Sequence, residues 1–159
     1  MDLTGALVWG LAATLVLSTL LRAAQIVGFT RIDIPFLLGT AFTPDREHAK
    51  VYGYALHLLN GWIFALFYVA LFQTAGQSGI LFGALIGAAH AAFVLIVALP
   101  VLPAFHPRMA SEGWGPEPTQ QLEPPGNLGL NYGLTTPIAT LAAHVVYGAI
   151  LGHFCSLRY

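Results

Sequence analysis

Residues 140–154 read TLAAHVVYGAILGHF, a run with no carboxylate, lysine or arginine that nevertheless holds an imidazole, His144, at its centre. Residues four apart share one face of a helix. Thr140, His144, Gly148 and Gly152 therefore form a single small and polar stripe on an otherwise apolar rod. Stripes of this kind let transmembrane backbones approach closely and turn polar side chains toward protein instead of lipid. The stretch is expected to be a membrane-spanning helix packed through its glycines.

The rest of the chain has the same character. Of its 159 residues, 57% are hydrophobic and 8% charged, with a mean hydropathy of +0.72. A soluble domain carries about 25% charged residues to face water, so this chain has too few to cover itself. A net charge of -1 leaves no basic patch for phosphates and excludes a nucleic-acid partner. A single cysteine, Cys155, excludes an intramolecular disulfide or a CxxC redox pair.

About 20 apolar residues cross the hydrocarbon core, and residues 5–27, 51–72, 79–101 and 134–154 qualify. Nothing alternates with period two as a barrel strand would. The expectation is an all-α polytopic membrane protein, one transmembrane domain over residues 1–159: a four-helix bundle with a long, irregular Pro/Gly-rich loop, 102–133. Met1 and Asp2 precede the first apolar run with no Lys or Arg, so it reads as a retained helix, not a cleaved signal. In FTPDREHAK, Thr43 is expected as an N-cap with Pro44 in the first turn, and LTTPIAT repeats the pattern with Thr136 and Pro137. QTAGQSG is short enough only for a tight turn between the second and third helices. Pro100 and Pro103 should end or kink the third. IDIPFLLGTAF is apolar but too short to cross.

Arg31, Arg46, Lys50 and Arg108 lie in the two long connections, with Arg22 close by, and Arg158 alone lies at the termini. The positive-inside tendency makes the connections cytoplasmic and both termini exterior. The 104–133 arm, with Trp114 and Tyr132, is expected to be an ordered cap on the bundle or on a partner.

Each predicted helix has one small, polar face. The second carries Gly53, His57 and Gly61 with Asn60 beside them, the third Gly83, Gly87 and His90, and the first Gly10, Thr14, Ser18 and Arg22. At 1.5 Å per residue, His90 and His144 fall at nearly the same depth, with His57 nearer the cytoplasmic side. One reading has His90 and His144 facing each other to bind haem, another metal centre or a pigment, with His57 as a third ligand or support. A second has each imidazole making an interhelical hydrogen bond. A third has the histidines and Arg22 lining a path for protons or a solute. Arg22 is either a holder of an anionic group or an interfacial arginine whose stem snorkels to the headgroups. Asp45, Glu47, His48, His106, Glu112, Glu117 and Glu123 gather on the loop side. Their spacing fixes no metal geometry, so solvated loop groups are expected; the alternative for HPRM is a cluster held by Pro107 with Arg108 salt-bridged to a nearby acid.

No nucleophile elbow, phosphate loop or paired-acid motif is present, and no carboxylate lies within a predicted span. DIPFLLGTAF, HLLNGWIFALFY and HVVYGAILG resemble segments of small four-helix bacterial inner-membrane proteins of unknown function. That resemblance implies the fold and an inner-membrane address. The expected role is a non-catalytic accessory or assembly subunit of a larger membrane complex, meeting lipid and either other subunits or further copies of itself. The alternatives are an electron-transfer or pigment subunit using the intramembrane histidines, and a small channel or carrier.

Overall fold

The computed structural model describes residues 3–111 and 122–155. It is all-helical: α1 (Leu3–Ile26), α2 (Ile34–Thr40), α3 (Arg46–Ala75), α4 (Ile80–Phe93), a π-helical turn (Val94–Ala98), α5 (Leu99–Phe105), a 3-10 segment (Asn127–Tyr132) and α6 (Thr136–Phe154). Four continuous helices, Thr4–Ile26, Arg46–Ala75, Ile80–Phe105 and Thr136–Phe154, are long and apolar enough to cross a membrane. Large apolar side chains point outward, Leu81 and Leu134 being more than four-fifths exposed, while Ala13, Thr14, Ala65 and Ala143 are buried. Small residues inward and large apolar ones outward is the arrangement that lets helices pack closely in a membrane bundle.

Glycine determines which helices touch. A Cβ on Gly83 would collide with the Gly148 carbonyl, one on Gly87 with the His144 carbonyl, and one on Gly152 with the Gly79 carbonyl. The antiparallel pair α4 and α6 therefore meets backbone to backbone, and Gly79 N–H donates to the Gly152 carbonyl at 3.0 Å. α2 sits on the start of α3 in the same way, through Gly39 against Ala49 and Gly53 against Pro35. α1 joins α3 where Gly10 meets Ala65 and Gly61 meets Thr14, and it joins α6 through the stacked rings of Trp9 and Phe154, 3.7 Å apart. Between α3 and α4 the contacts are aromatic instead: Phe72 on Phe82 and Phe64 on His90. The α3–α4 turn closes on Gly76 at φ 60°, a left-handed conformation that glycine adopts without a Cβ penalty.

Several local expectations are corrected. The cap of α3 is Asp45, not Thr43: its carboxylate accepts from His48 N–H at 2.8 Å, while the Thr43 hydroxyl accepts from Asp45 N–H. That His48 bond first, and the His48 ring after it, hold the Asp45 carboxyl below the usual carboxylate range. The cap of α6 is Thr135 rather than Thr136. The Thr136 hydroxyl is instead buried against that of Thr30, 2.7 Å away, tying the α1–α2 link to α6. Of the two outcomes expected at Pro100, an end or a kink, an end is not seen in the third long helix. The Pro100 ring would press on the carbonyl one turn back, and the turn before it widens to π geometry, with Leu99 N–H bonding the Val94 carbonyl. The helix then continues past Pro103 to Phe105.

The loop expected over 102–133 is partly regular. Residues 102–105 are helical and 127–132 form a 3-10 turn. Ala110 N–H bonds the Leu122 carbonyl and Leu122 N–H the Arg108 carbonyl, over a fully buried Met109. Burial and then the Glu123 carboxylate push the Tyr132 phenol up to about 12, and it donates to the Glu123 carbonyl. Residues 112–121, with Glu112, Trp114 and Glu117, lie outside the described residues. His106 is not a solvated loop group. It is buried, and its Nδ1 accepts from Arg108 N–H, which puts its proton on Nε2 to donate to the Leu37 carbonyl at 2.9 Å. Among the described residues Arg108 pairs with no acid; its guanidinium donates to the Thr40 carbonyl at 2.6 Å.

Candidate functional site: a histidine-lined cavity

α1, α3, α4 and α6 enclose a cavity of about 200 Å³ whose loop-side end is closed by α2 and α5. It has two chemically distinct ends. Thr14, His57, His90, Thr140, His144 and Tyr147 make the polar end; Leu21, Ile32, Leu37, Leu99 and Leu102 make the apolar end. His57 lies 11 residues into α3 and His144 lies 8 into α6, about 12–17 Å from the helix starts. The polar end is thus halfway along the bundle, and the apolar end is nearer the long connections. Asn60, Phe93 and Ala98 line the cavity and are also exposed, so its mouth opens sideways between α3 and the α4–π segment.

The structure brings His90 and His144 together. Their rings meet edge to face, 4.7 Å between centroids with planes at 81°. His144 Nδ1 is 2.8 Å from the Thr140 carbonyl, which can only accept, so Nδ1 carries the proton and Nε2 the lone pair. His90 stacks on Phe64 at 4.0 Å, and its Nδ1 lies 3.3 Å from the Tyr68 hydroxyl. Tyr147 donates to the Gly61 carbonyl at 2.6 Å, and Thr14 donates to the Gly10 carbonyl at 2.7 Å. His57 lines the same cavity, and its Nε2 is buried with no hydrogen-bond partner. A buried polar atom left unpaired costs about 1–3 kcal/mol, and few native groups are left so.

Arg22 does not belong to this site. It is exposed, and its guanidinium donates to Gln25 Oε1 at 2.7 Å. Gln25 in turn donates to the Ile32 carbonyl, so Arg22 braces the α1–α2 link. The loop-side acids form separate surface pairs: Asp45 with His48, Glu47 with Lys50 and Glu123 with Arg31.

Among the described residues no three His, Cys, Asp or Glu side chains converge as metal ligands. Two imidazoles on one haem iron lie on opposite faces of the macrocycle. The touching rings of His90 and His144 leave no room for one between them, so the two-imidazole haem reading does not fit this arrangement. Sequence reasoning missed Tyr68 and Tyr147. The signal for Tyr147 was its position three residues after His144, on an adjoining part of the same face. No family model matches this chain, and no curated protein or solved structure is found similar to it.

Proposed function

We propose that this chain is a small, non-catalytic integral membrane protein whose bundle binds one small, uncharged molecule among its three intramembrane histidines. The observation that carries the reading is the unpaired, buried Nε2 of His57, a residue that lines the same cavity as His90 and His144. A polar end enclosed by helices in the middle of a bundle is a natural place for a ligand. The non-catalytic part is supported by where the hydroxyl protons go. Thr14 and Tyr147 donate to backbone carbonyls, so neither is activated by a histidine as a nucleophile would be.

The proposed address is the bacterial inner membrane, with the long connections cytoplasmic and both termini exterior. It is supported by the cations Arg31, Arg46, Lys50 and Arg108 in those connections and by the four apolar helices. Impermeant maleimide on intact cells tests it: Ser78→Cys should label and Thr43→Cys should not.

Native mass spectrometry of the chain released from mild detergent tests the binding. Wild type is expected to carry a small molecule that His57→Leu and the mouth-blocking Ala98→Phe do not. An equal load on all three proteins would sink the reading.

A further inference from the structure

We infer that the molecule in this cavity is a bilayer-soluble, uncharged ring bearing a hydroxyl group, a phenol or a cyclic alcohol, and that it arrives sideways between α3 and α4. This rests on the cavity being a binding site and adds what the site selects.

The selection follows from an inventory of hydrogens at the polar end. Tyr147, Thr14 and His144 Nδ1 each commit a proton to a backbone carbonyl, those of Gly61, Gly10 and Thr140. What they have left to offer is lone pairs, on His144 Nε2 and on the Thr14 and Tyr147 hydroxyl oxygens, which also lie within hydrogen-bonding reach of each other. A phenol is the better donor and an imidazole nitrogen the better acceptor, so Tyr68 donates to His90 Nδ1 and His90 keeps its proton on Nε2. His57 Nε2 is buried and unpaired on a side chain that lines the cavity, and a turn of the ring would present it there. The polar end therefore presents several acceptors, the Nε2–H of His90, the His57 Nε2, which donates or accepts according to its tautomer, and at the mouth the Asn60 amide, which can do either.

A ketone, quinone or ether only accepts, and would leave these lone pairs unmet. A hydroxyl both donates and accepts, and matches the set. Charged molecules do not fit, because no Asp, Glu, Lys or Arg lines the cavity and an uncompensated charge at this depth is costly.

Size and route narrow the class further. A cavity of about 150 Å³ holds benzene, so about 200 Å³ takes one ring with a substituent or two. The hydrocarbon part lies toward Leu21, Ile32, Leu37 and Leu99. This orientation, polar group at mid-depth and apolar group toward the connections, is the reverse of a phospholipid's. It excludes a phospholipid seated as it lies in the bilayer. The sideways mouth at Asn60, Phe93 and Ala98 faces the lipid, so the molecule reaches the site dissolved in the membrane.

Fluorine NMR on the full chain in micelles tests this with 4-fluorophenol, 4-fluorotoluene and 4-fluoroacetophenone, each corrected for partition into empty micelles. The phenol is expected to bind about tenfold tighter than either ring, the worth of one well-made hydrogen bond. The preference should fall to near unity in His144→Phe and in His57→Leu. Where either of these unfolds, His144→Ala or His57→Ala takes its place, with the fold checked by thermal unfolding. Equal binding of phenol and toluene overturns the hydroxyl assignment while leaving the binding site standing. Tighter binding of the ketone overturns the proton inventory. No binding of any ring overturns the site itself.

Discussion

Gly83 and Gly148 meet backbone to backbone, each so placed that a Cβ would strike the other's carbonyl oxygen. One turn along, Gly87 is pressed in the same way on the His144 carbonyl. The spacing of the two imidazoles is therefore set by glycines that never touch the cavity. Gly83→Ala and Gly148→Ala should each force α4 from α6 and cost about 1–3 kcal/mol, the usual penalty of overpacking. Ala70→Val, on an exposed face of α3, should stay within about 0.5 kcal/mol of wild type. Thermal unfolding in one detergent compares them, and equal midpoints for Gly83→Ala and Ala70→Val would refute the glycine contact.

His106 and Arg108 hold the last carbonyls of α2, at Leu37 and Thr40. These acceptors lie at a helix end, where carbonyls lack the usual backbone partner; the Leu37 carbonyl also accepts from the Thr40 hydroxyl at 2.8 Å. His106→Phe keeps a ring of similar bulk and removes both ring nitrogens, leaving Leu37 O and Arg108 N–H without it. The expected loss is about 1–3 kcal/mol, together with faster amide exchange across Ile34–Thr40. Exchange unchanged over α2 would show that the pair is incidental.

The four long helices were legible because each apolar run is long enough to cross a membrane, and a backbone of that length in lipid is satisfied only as a helix or a closed barrel. The contact of His90 with His144 was legible from their similar depth. Arg22 was misleading for a geometric reason. A step of four residues turns a helix by about 400°, so a four-residue stripe drifts about 40° per step. Gly10 and Thr14 are buried, Ser18 is half-buried and Arg22 is exposed, which is that drift made visible. His106 was illegible. A histidine between Phe105 and Pro107 carries no local mark of the α2 carbonyl it will meet, since that partner lies far off along the chain. The cap of α3 was missed by two residues because Thr43 and Asp45 are both good capping types.

Asp45 makes the stability of α3 depend on pH in a definite direction. Its carboxyl is held below the ordinary 3.8, first by the His48 N–H bond. Folding therefore favours the carboxylate, and the contribution is complete above the ordinary value and lost as pH falls through the lowered one. Asp45→Asn keeps an acceptor oxygen and should remove this part of the pH dependence. Asp45→Ala should weaken the first turn at every pH. Detergent unfolding of wild type and Asp45→Asn at about pH 5 and about pH 2.5 isolates the effect. Parallel losses in the two proteins would place the acid sensitivity elsewhere.

Two tyrosines at the cavity should differ in what their hydroxyls contribute. The Tyr147 hydroxyl is 2.6 Å from the Gly61 carbonyl, whereas that of Tyr68 is 3.3 Å from His90 Nδ1. Side-chain hydrogen bonds within membranes average about 0.6 kcal/mol, and the shorter contact belongs above that mean. Tyr147→Phe should therefore cost about 1 kcal/mol and Tyr68→Phe less. The rings themselves meet edge to face with centroids 5.4 Å apart, and phenylalanine preserves that contact in both variants. The double variant should consequently lose close to the sum of the two single losses. Replacing either ring by leucine breaks the shared contact, and the double-leucine variant should depart from additivity by about 0.5–1.5 kcal/mol, the worth of an aromatic pair. A double-mutant cycle read by equilibrium unfolding gives both numbers. A larger loss for Tyr68→Phe than for Tyr147→Phe would mean that the Tyr68–His90 bond is the stronger one, and that His90 is held by its hydroxyl partner more than by the stack on Phe64.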